Sequence, residues 1–168
     1  KAMLLTAIKR VTQVNRGKRT AGIDGMVIQT PAERWELYKQ MENQRIELHN
    51  PKPSYRTYIK KKNGKLRPLS IPTIKDRIYH FMIKSALEPQ WEARFEPCSY
   101  GFRPERGCHD AVQRIVMSTQ KGGKRWIFEG DFKGCFENLN HDYILGRIGD
   151  FPYRALIRKW LKAGYVDN

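Results

Sequence analysis

The chain has 168 residues, of which 40% are hydrophobic and four are tryptophan, so its composition fits one or two modest cores and excludes a disordered or fibrous protein. Its 32 Lys and Arg against 17 Asp and Glu give a net charge of +15 and a pI near 9.9. No segment approaches the roughly 20 apolar residues of a membrane span, and the N-terminus shows no signal-peptide core. We expect a soluble intracellular protein.

Basic side chains are clustered along the chain. Residues 1–23 hold six of them and no acid, and residues 51–75 hold eight and no acid. Such runs predict a polyanionic partner, most simply nucleic acid, with a solvated face or an anionic membrane surface as the alternatives. Tyr55 and Tyr58 lie in the second run and favour nucleic acid, because aromatic rings stack on bases, although a strand tyrosine is more often a packing residue.

Cysteine and histidine do not point to a metal or redox centre. The three cysteines, Cys98, Cys108 and Cys135, are odd in number and lack CxxC spacing, and the four histidines are dispersed. We therefore predict neither a disulfide framework nor a zinc site, and expect reduced cysteines with structural roles.

The first 50 residues predict two helices around a basic loop. Apolar residues at helical spacing indicate a helix over residues 1–15, and a glycine-containing basic loop follows at 15–25. The sequence T-P-A-E at 30–33 supplies an N-cap, a first-turn proline and a capping-box acid. A helix should therefore run from there to about residue 48. Its inward-facing residues are predicted to be Trp35, Tyr38 and Met41.

A β-hairpin is predicted in the second basic run. Residues 55–62 and 65–71 flank Asn63-Gly64, the dipeptide that best tolerates the positive φ angles of a two-residue hairpin turn. Pro68 cannot donate a ladder hydrogen bond, so we expect one of the two strands to lie at a sheet edge.

Helices are predicted to support this hairpin. One begins near Thr73 and ends before Pro89, and another covers about 108–118 with its apolar residues on one side. Two short helices close the chain, the last over about 152–163 with Gly164 in the position of a C-terminal cap.

Residues 125–131 are predicted to form a short apolar strand that ends at one acid, Asp131. Gly130 precedes this acid, and Gly134 and Cys135 follow it closely, which suits a site where a metal and a phosphate ligand approach the backbone. The pattern resembles half of a two-metal polymerase site. On the residues alone, an equally good interpretation is that Asp131 caps a helix after the strand.

Four ordered motifs together identify a family. They resemble, in order and spacing over nearly the whole chain, the fingers and early palm of group II intron reverse transcriptases. The motifs are TAGIDG at 20–25, YIKKKNGKLRPLSIPTIKDR at 58–77, SYGFRPERGCHDAV at 99–112 and EGDFKGCFENLNHD at 129–142.

The resemblance implies an α+β fold with three parts. Residues 1–50 would be the N-terminal extension and first helices of the fingers of a right-hand polymerase, and 51–122 the basic β-hairpin of the fingers with its supporting helices. Residues 123–168 would be the first strand and helices of a truncated palm, carrying the first catalytic aspartate.

The resemblance also implies catalytic roles. Asp131 would be the first metal-binding aspartate for Mg²⁺, and the carbonyl of Phe132 would lie beside the second metal contact. Phe136 would stand under the sugar and select dNTP over rNTP. Two Mg²⁺ ions held by carboxylates suit in-line attack of a 3′-hydroxyl on a nucleotide. Spacing alone would instead make Phe136 a core residue.

Fingers residues are implied to bind the two substrates. Lys61 and Arg67 match the positions that hold the incoming triphosphate, and side chains six residues apart across a tight turn can converge. Arg56 and Lys65 would touch template or solvent. The simpler interpretation of all four is an exposed basic ribbon.

Two further motifs are implied to lie on the template side. The loop containing Arg19, Gly22 and Gly25 would cover the template strand, its glycines admitting phosphates close to backbone amides, unless it is only a flexible surface loop. Arg103 is placed with this RNA-binding set, where it could hold a phosphate or brace the fold, and bracing is favoured. Asp110 has a helix-start role.

The second catalytic motif of the family, Tyr-x-Asp-Asp, is not found. Residues 165–168 read Tyr-Val-Asp-Asn, but they follow a capping glycine where the family has a connecting loop, so we interpret them as a decoy. A lone Asp131 cannot hold two metals. We therefore expect a fragment that does not polymerise by itself, and whose cut palm edge permits a homodimer or aggregation.

The implied parent is an RNA-directed DNA polymerase of a mobile intron that also aids splicing. Its partners would be intron RNA as template, a DNA primer and dNTP, without a membrane, in a bacterial cytoplasm or an organelle. Two alternatives stay open: an RNA-binding splicing factor with a decayed polymerase site, and a reverse transcriptase of the retron or diversity-generating type.

Overall fold

The computed structural model describes residues 1–120 and 122–167, and it combines helices with one small sheet. Contacts divide the chain into two compact units, residues 1–85 with 140–168 and residues 86–139. The elements in chain order are α1 (Ala2–Lys9), α2 (Pro31–Glu42), β1 (Ser54–Lys60), β2 (Leu66–Ile71), α3 (Ile74–Glu92), α4 (Cys108–Thr119), α5 (His141–Ile148), α6 (Arg154–Lys162) and β3 (Tyr165–Val166).

The sheet has the order β2-β1-β3. β1 and β2 pair antiparallel from Tyr55 opposite Ile71 to Lys60 opposite Leu66, and β3 pairs parallel to the start of β1. β2, which contains Pro68, therefore lies at an edge, as predicted.

The hairpin turn differs from the predicted two-residue turn. The amide of Lys61 donates to the carbonyl of Lys65 at 2.8 Å, so three residues, 62–64, form the loop. Gly64 has φ +79°, whereas Asn63 has no positive φ and instead accepts a hydrogen bond from the Lys65 amide at 3.2 Å. Only one residue has to adopt the left-handed conformation, because a three-residue loop with glycine at that position already matches the twist of the strands.

The core of the first unit is made by α1, α2 and α3. The helix predicted for residues 1–15 is confirmed, since α1 continues through a π-helical turn at Arg10–Val14. A 3₁₀ turn at Arg16–Arg19 begins the basic loop. The buried apolar residues of this core are Leu4, Ala7, Ile8, Val11, Ile28, Leu37, Tyr38, Met41, Ile74, Ile78 and Tyr79.

The predicted capping box starts α2. The Glu33 amide donates to the Thr30 hydroxyl at 3.2 Å, and the Thr30 amide donates to the Glu33 carboxylate at 2.8 Å. The predicted end at residue 48 is wrong, because Asn43 leaves the helical region at φ −97°, ψ 0°, and residues Ile46–Leu48 form a separate 3₁₀ turn. Asparagine favours such ends, since its side chain competes for backbone hydrogen bonds.

The prediction that three residues of α2 face the core is confirmed for Tyr38 and Met41 but is wrong for Trp35. Trp35 is 54% exposed, and its ring stacks on Tyr38 with centroids 5.3 Å apart. Leu37 is buried instead. Two residues turn an α-helix by about 200°, so Trp35 and Leu37 cannot both face the core.

α3 runs past its predicted end. It continues through Pro89 to Glu92, although the proline lacks the N–H that would bond to the carbonyl of Ser85. The helix resumes its bonding immediately, with the Ala93 amide 3.4 Å from the Pro89 carbonyl. The fixed φ of proline is helical, so only one backbone hydrogen bond is lost.

In the second unit, α4 has its predicted position but exposes its apolar side, including Val112, Ile115 and Met117. The predicted strand at 125–131 is wrong, since residues 124–132 form neither helix nor strand. A strand needs a partner for its backbone groups, and the described residues of this unit offer none. Trp126 and Phe128 are accordingly 94% and 95% exposed.

The chain closes as predicted with two short helices. α6 ends before Gly164, which has φ +67° in the position of a C-terminal cap. Tyr165 and Val166 of the decoy motif then form β3, an arrangement that differs from a hairpin between apolar strands. Asn168, the last residue of that motif, lies outside the described residues.

A polar network inside the first unit is absent from the sequence-based predictions. The Asp76 carboxylate accepts hydrogen bonds from His49 Nε2 at 2.6 Å, Trp160 Nε1 at 2.9 Å and the Thr73 hydroxyl at 2.6 Å. Asp76 is 1% exposed, and it links α3 to α6 and to the segment after α2. Lys159 of α6 also donates to the His49 carbonyl at 3.2 Å.

Candidate nucleic-acid interface

The register of the hairpin separates its basic side chains onto two faces. Side chains alternate along a strand, and Ile59 pairs with Arg67, so Lys61 and Arg67 share one face. The Lys61–Lys65 hydrogen bond places Lys65 on that face as well. All three side chains are exposed, and no acid occurs in residues 51–75. We call Lys61, Lys65 and Arg67 the hairpin basic face.

Arg56 belongs to the opposite face and is held by the protein. Its guanidinium carbon lies 3.2 Å from the ring centroid of Tyr165, and its Nη2 donates to the Ser70 hydroxyl at 3.3 Å. Its buried Nε has no hydrogen-bond partner among the described residues. Arg56 is thus packed against β3, and its contact with a template stays a prediction.

Tyr58 also ties this second face to the residues after α6. Its hydroxyl donates to the Asp167 carboxylate at 2.6 Å, and this hydrogen bond raises the pKa of Tyr58. Together with the Arg56 stack, the contact places residues 165–167 against the Arg56 and Tyr58 part of the second face. On the hairpin basic face, all three cations stay exposed.

The basic N-terminal loop is packed against the start of α3. Gly22 is buried, and a Cβ added there would lie 2.7 Å from the Thr73 Cα and 2.9 Å from the Pro72 carbonyl oxygen. Arg77 donates to the carbonyls of Gly17 at 2.9 Å and Thr20 at 2.6 Å. Gly22 therefore has a packing reason to be glycine, and its contact with a template stays a prediction.

Two other predicted residues of this loop are open to solvent. Arg19 is exposed and makes no hydrogen bond or salt bridge within residues 1–120 and 122–167. Gly25 has φ +67° with open space where a Cβ would stand. Both can meet a ligand, whereas the sequence-based set missed Arg77, which anchors the loop.

Replacing Gly22 by alanine should destabilise the first unit by about 1–3 kcal/mol, the usual cost of overpacking, because the new Cβ meets backbone that cannot turn away. The matched control is Gly146→Ala in α5, where a Cβ meets nothing within 4 Å. That change should stabilise by about 0.5–1 kcal/mol. Urea denaturation measures both, and equal effects of the two changes would contradict the packing role of Gly22.

Arg103 braces the loop that precedes α4, which confirms the favoured interpretation. Its Nε and Nη2 bind the Glu92 carboxylate at 2.9–3.2 Å, and its Nη1 donates to the carbonyls of Glu96 at 2.7 Å and Ser99 at 2.9 Å. The side chain is 5% exposed. The guanidinium is therefore occupied by protein groups, and an RNA contact of Arg103 stays a prediction. Asp110 has its predicted helix-start role, accepting from the Gly107 amide at 2.6 Å.

The candidate catalytic segment lies in the second unit. Asp131 is exposed and makes no hydrogen bond or salt bridge with other described residues. Phe132 and Phe136 are 84% and 81% exposed. Gly134 at φ +60° makes a tight turn into the 3₁₀ segment Phe136–Asn138, closed by the Asn138 side chain donating to the Gly134 carbonyl at 2.8 Å.

The metal-binding capacity of the described chain is limited. Residues 1–120 and 122–167 bring no three His, Cys, Asp or Glu side chains together as a metal site. Asp131 offers the hard oxygen that Mg²⁺ prefers, but a single carboxylate does not complete such a site. None of the described helices is long and apolar enough to cross a membrane.

Two family models match the chain. "Reverse transcriptase (RNA-dependent DNA polymerase)" matches residues 59–168, which include the hairpin basic face and Asp131. "N-terminal domain of reverse transcriptase" matches residues 1–41, which include the basic loop. The two matches follow the order of the motifs found in the sequence.

Similar proteins come from bacteria and from fungi. Protein YkfC of Escherichia coli is 36% identical over 97% of this chain and 45% of its own length. The group II intron-encoded protein LtrA of Lactococcus lactis is 40% identical over 92% of this chain and 26% of its own. An uncharacterized 91 kDa protein in the cob intron of Schizosaccharomyces pombe is 34% identical over 99% of this chain and 21% of its own.

The chain spans less than half the length of these relatives. Its motifs, its α+β elements and both family models agree that the chain belongs to the reverse transcriptase family, with group II intron proteins among its relatives.

Proposed function

We propose that this chain is the fingers and early palm of an RNA-directed DNA polymerase of a mobile group II intron. The observation that carries the proposal is the hairpin basic face, on which three exposed cations converge without an acid nearby in sequence. Lys61 and Arg67 hold the triphosphate of the incoming dNTP, and Lys65 meets the template. Arg19 and Gly25 contribute a second RNA contact from the N-terminal loop.

The three-part division of the chain is part of this proposal. Residues 1–50 form the N-terminal extension and first helices, 51–122 the fingers hairpin with its helices, and 123–168 the start of the palm. The family models support the order, since the N-terminal model ends at residue 41 and the polymerase model includes the hairpin.

Asp131 is proposed as the first carboxylate ligand of Mg²⁺, with the Phe132 carbonyl beside it. The metal, once bound, stabilises the entering and leaving oxygens of nucleotidyl transfer. Phe136, an exposed ring five residues after Asp131, excludes the 2′-hydroxyl of an rNTP. One carboxylate does not complete a two-metal site, so the proposal includes that this chain alone does not polymerise.

The exposed segment 126–128 has a consequence for assembly. Its three large apolar side chains are exposed, and such an apolar surface favours a homodimer or aggregation. Intron RNA, a DNA primer and dNTP are the remaining proposed partners.

Neutralising two residues of the hairpin basic face tests the proposal. The double variant Lys61→Gln/Arg67→Gln should lose about tenfold or more in affinity for a fluorescent dNTP, because hydrogen bonds to charged groups contribute about 1.5–3 kcal/mol each. The matched control is Lys52→Gln/Lys60→Gln, which removes the same charge; Lys60 lies on the opposite face of the hairpin. Fluorescence anisotropy with Mg²⁺ present measures both.

Equal losses in the two double variants would mean that the hairpin acts only through its net charge. Primer extension on an RNA template gives the companion result. We expect RNA binding without extension, and extension that Asp131→Ala abolishes would contradict the proposed inactivity of the isolated chain.

A maturase that binds intron RNA without polymerising is the second candidate. The occupied Arg103 and the open hairpin basic face are compatible with RNA binding alone, and a similar protein of Euglena gracilis is named "Maturase-like protein 1". Retention of dNTP affinity that depends on Lys61 and Arg67 favours the polymerase, since a splicing factor has no need for it. The retron-type alternative is less favoured, because LtrA is named as a group II intron protein.

A further inference from the structure

We propose that Lys18, Arg19 and Arg34 form a phosphate-binding pocket for a nucleic-acid strand in the first unit. The inference rests on the proposed RNA-binding function and deepens it by assigning a built site to the N-terminal region. The pocket has a volume of about 230 Å³. Besides the three cations, Thr12, Gln13, Ile28 and Gln29 line it, and no hairpin residue does.

Two of the three cations are held in place by neutral partners. Lys18 Nζ donates to the Gln13 carbonyl at 2.9 Å, and Arg34 Nη1 donates to the Gln29 carbonyl at 2.8 Å. A carbonyl orients a cation without cancelling its charge, so both side chains keep donors for a ligand. Arg19 has no hydrogen-bond or salt-bridge partner among the described residues, so all the N–H donors of its guanidinium are available to a ligand.

The adjacent acid, Glu33, does not line this pocket. Its carboxylate accepts hydrogen bonds from the amides of Gln29 at 2.7 Å and Thr30 at 2.8 Å, where it caps α2. Glu33 and Arg34 are charge neighbours, so the field of Arg34 is reduced in part. The lining itself carries three positive charges and no negative one.

The size and chemistry of the pocket select the ligand class. Its volume is below the roughly 300–1,000 Å³ of pockets for drug-sized molecules. No aromatic residue lines it, so a base has nothing on which to stack. Two guanidinium groups and one ammonium match the oxygens of a phosphate. A phosphodiester or terminal phosphate is therefore recognised by charge and shape, without reading sequence.

The test compares RNA binding of the full chain with that of the double variant Arg19→Gln/Arg34→Gln. Anisotropy is measured with labelled single-stranded RNA carrying either a 5′-hydroxyl or a 5′-phosphate, over a salt series. The variant should bind about three- to tenfold more weakly, equally for unrelated sequences, and its salt slope should fall by about 0.7 for each lost phosphate contact. The matched control, Arg10→Gln/Lys39→Gln, removes the same charge from exposed residues outside the lining.

Inorganic phosphate provides an independent readout and separates the possible sources. It should raise the melting temperature of the original chain but not that of the variant. If the variant loses affinity only for 5′-phosphorylated RNA, the pocket binds the terminal phosphate of a strand. If it loses affinity equally for both RNAs, the pocket binds a phosphodiester of the backbone.

Three results distinguish failure of the pocket from failure of the proposed function. If the original chain binds RNA and the pocket variant matches it in affinity and salt slope, the pocket is refuted and RNA binding stands. If the original chain binds no RNA but phosphate still protects it through Arg19 and Arg34, the pocket stands and RNA binding is refuted. Should the double variant lose its helical circular dichroism, Arg19→Gln alone carries the test, because this side chain bonds to none of the described residues.

Discussion

Replacing Asp76 by alanine should lower the free energy of unfolding of the first unit by about 3–5 kcal/mol. The change leaves three donors without an acceptor: the buried Thr73 hydroxyl and the partly buried ring N–H groups of His49 and Trp160. Each orphaned donor that is buried costs about 1–3 kcal/mol. The structure around the new cavity relaxes in part, so the total loss of stability stays below the sum of the three upper values. Urea denaturation followed by tryptophan fluorescence measures it, and Trp160 itself reports on the site.

The control for Asp76 is Asp150→Ala. Asp150 is an exposed acid between α5 and α6, and its removal should change stability by less than about 0.5 kcal/mol. The variant Asp76→Asn keeps the size of the side chain and separates charge from packing. An Asp76→Ala variant as stable as the Asp150→Ala variant would show that the network contributes nothing to folding.

The Asp76 network also predicts a pH dependence. Burial acts to raise the pKa of Asp76, but the hydrogen bonds from His49, Thr73 and Trp160 outweigh it, so the pKa is lowered from its usual 3.8. The unfolded chain then binds a proton at a pH where the folded chain does not. The stabilisation is fully present above about pH 5 and is lost as the pH falls through 3.8 towards the lower folded value. Asp76→Asn should remove this acid loss.

His80 adds a second pH dependence of the free energy of unfolding, at higher pH than that of Asp76. Burial lowers its pKa below 6.5, so the unfolded chain protonates first and stability declines as the pH falls below about 6.5. This slope should survive in Asp76→Asn, with a change in its size because the Asp76 charge raises the pKa of His80. Denaturation curves between about pH 3 and 7 resolve the two regions.

The fold was predictable from sequence where local chemistry decides the structure. Thr30 and Glu33 specify a capping box, Asn63-Gly64 a hairpin and Gly164 a helix end, and each signal depends on neighbouring residues alone. The details that failed depend on competition between local forms. Asn63-Gly64 is compatible with a two-residue or a three-residue hairpin loop. The hydrogen bond between Lys61 and Lys65 shows that the loop has three residues.

The unpredicted features depend on tertiary partners. Residues 125–131 have the sequence of a short strand, yet the described residues of the second unit form no strand that could pair with them. Asp76 lies in a motif recognised by its family resemblance, but nothing in spacing shows that His49 and Trp160 meet it from 27 and 84 residues away. Long-range hydrogen bonds leave no periodic signal in a sequence.

The candidate site divides in the same way. The predicted two-residue turn would pair Lys61 with Leu66 and put Lys61 on the face opposite to Lys65 and Arg67. The three-residue loop shifts the register by one residue and brings all three cations to one face. In contrast, the family resemblance implies positions near RNA for Gly22 and Arg103, with bracing of the fold favoured for Arg103. The structure directs Gly22 against Pro72 and Arg103 against Glu92, and neither contact could be read from residue type.

Replacing Arg103 by alanine should destabilise the second unit by about 3–5 kcal/mol, the usual cost of removing one member of a buried ion pair. Arg103 is 5% exposed against 24% for Glu92, so water reaches the carboxylate more easily and the lower half of the range is expected. Arg103→Lys keeps the charge, but one ammonium cannot bind the carboxylate together with the two carbonyls of Glu96 and Ser99.

The loop that Arg103 holds is under backbone strain. Phe102 and Glu105 have φ +59° and +54°, a left-handed conformation that costs a non-glycine residue about 1–2 kcal/mol. Arg103 lies between them and fixes the loop to Glu92, while Arg106 donates to the Pro97 carbonyl at 2.6 Å. Without the Arg103 contacts, the loop can relax to ordinary φ values. Its amides should then exchange faster with solvent.

Hydrogen exchange of residues 93–107 therefore distinguishes a bracing role from RNA binding. Arg103→Gln should speed exchange in this loop by tenfold or more, since about 1.4 kcal/mol of lost local stability corresponds to that factor, and it should leave the salt slope of RNA binding unchanged. Arg114→Gln removes the same charge at an exposed position of α4 and should not speed exchange in this loop. If Arg103→Gln lowered the salt slope by about one and left exchange unaffected, Arg103 would be a phosphate contact after all. The dense contacts of its guanidinium lead us to expect the opposite result.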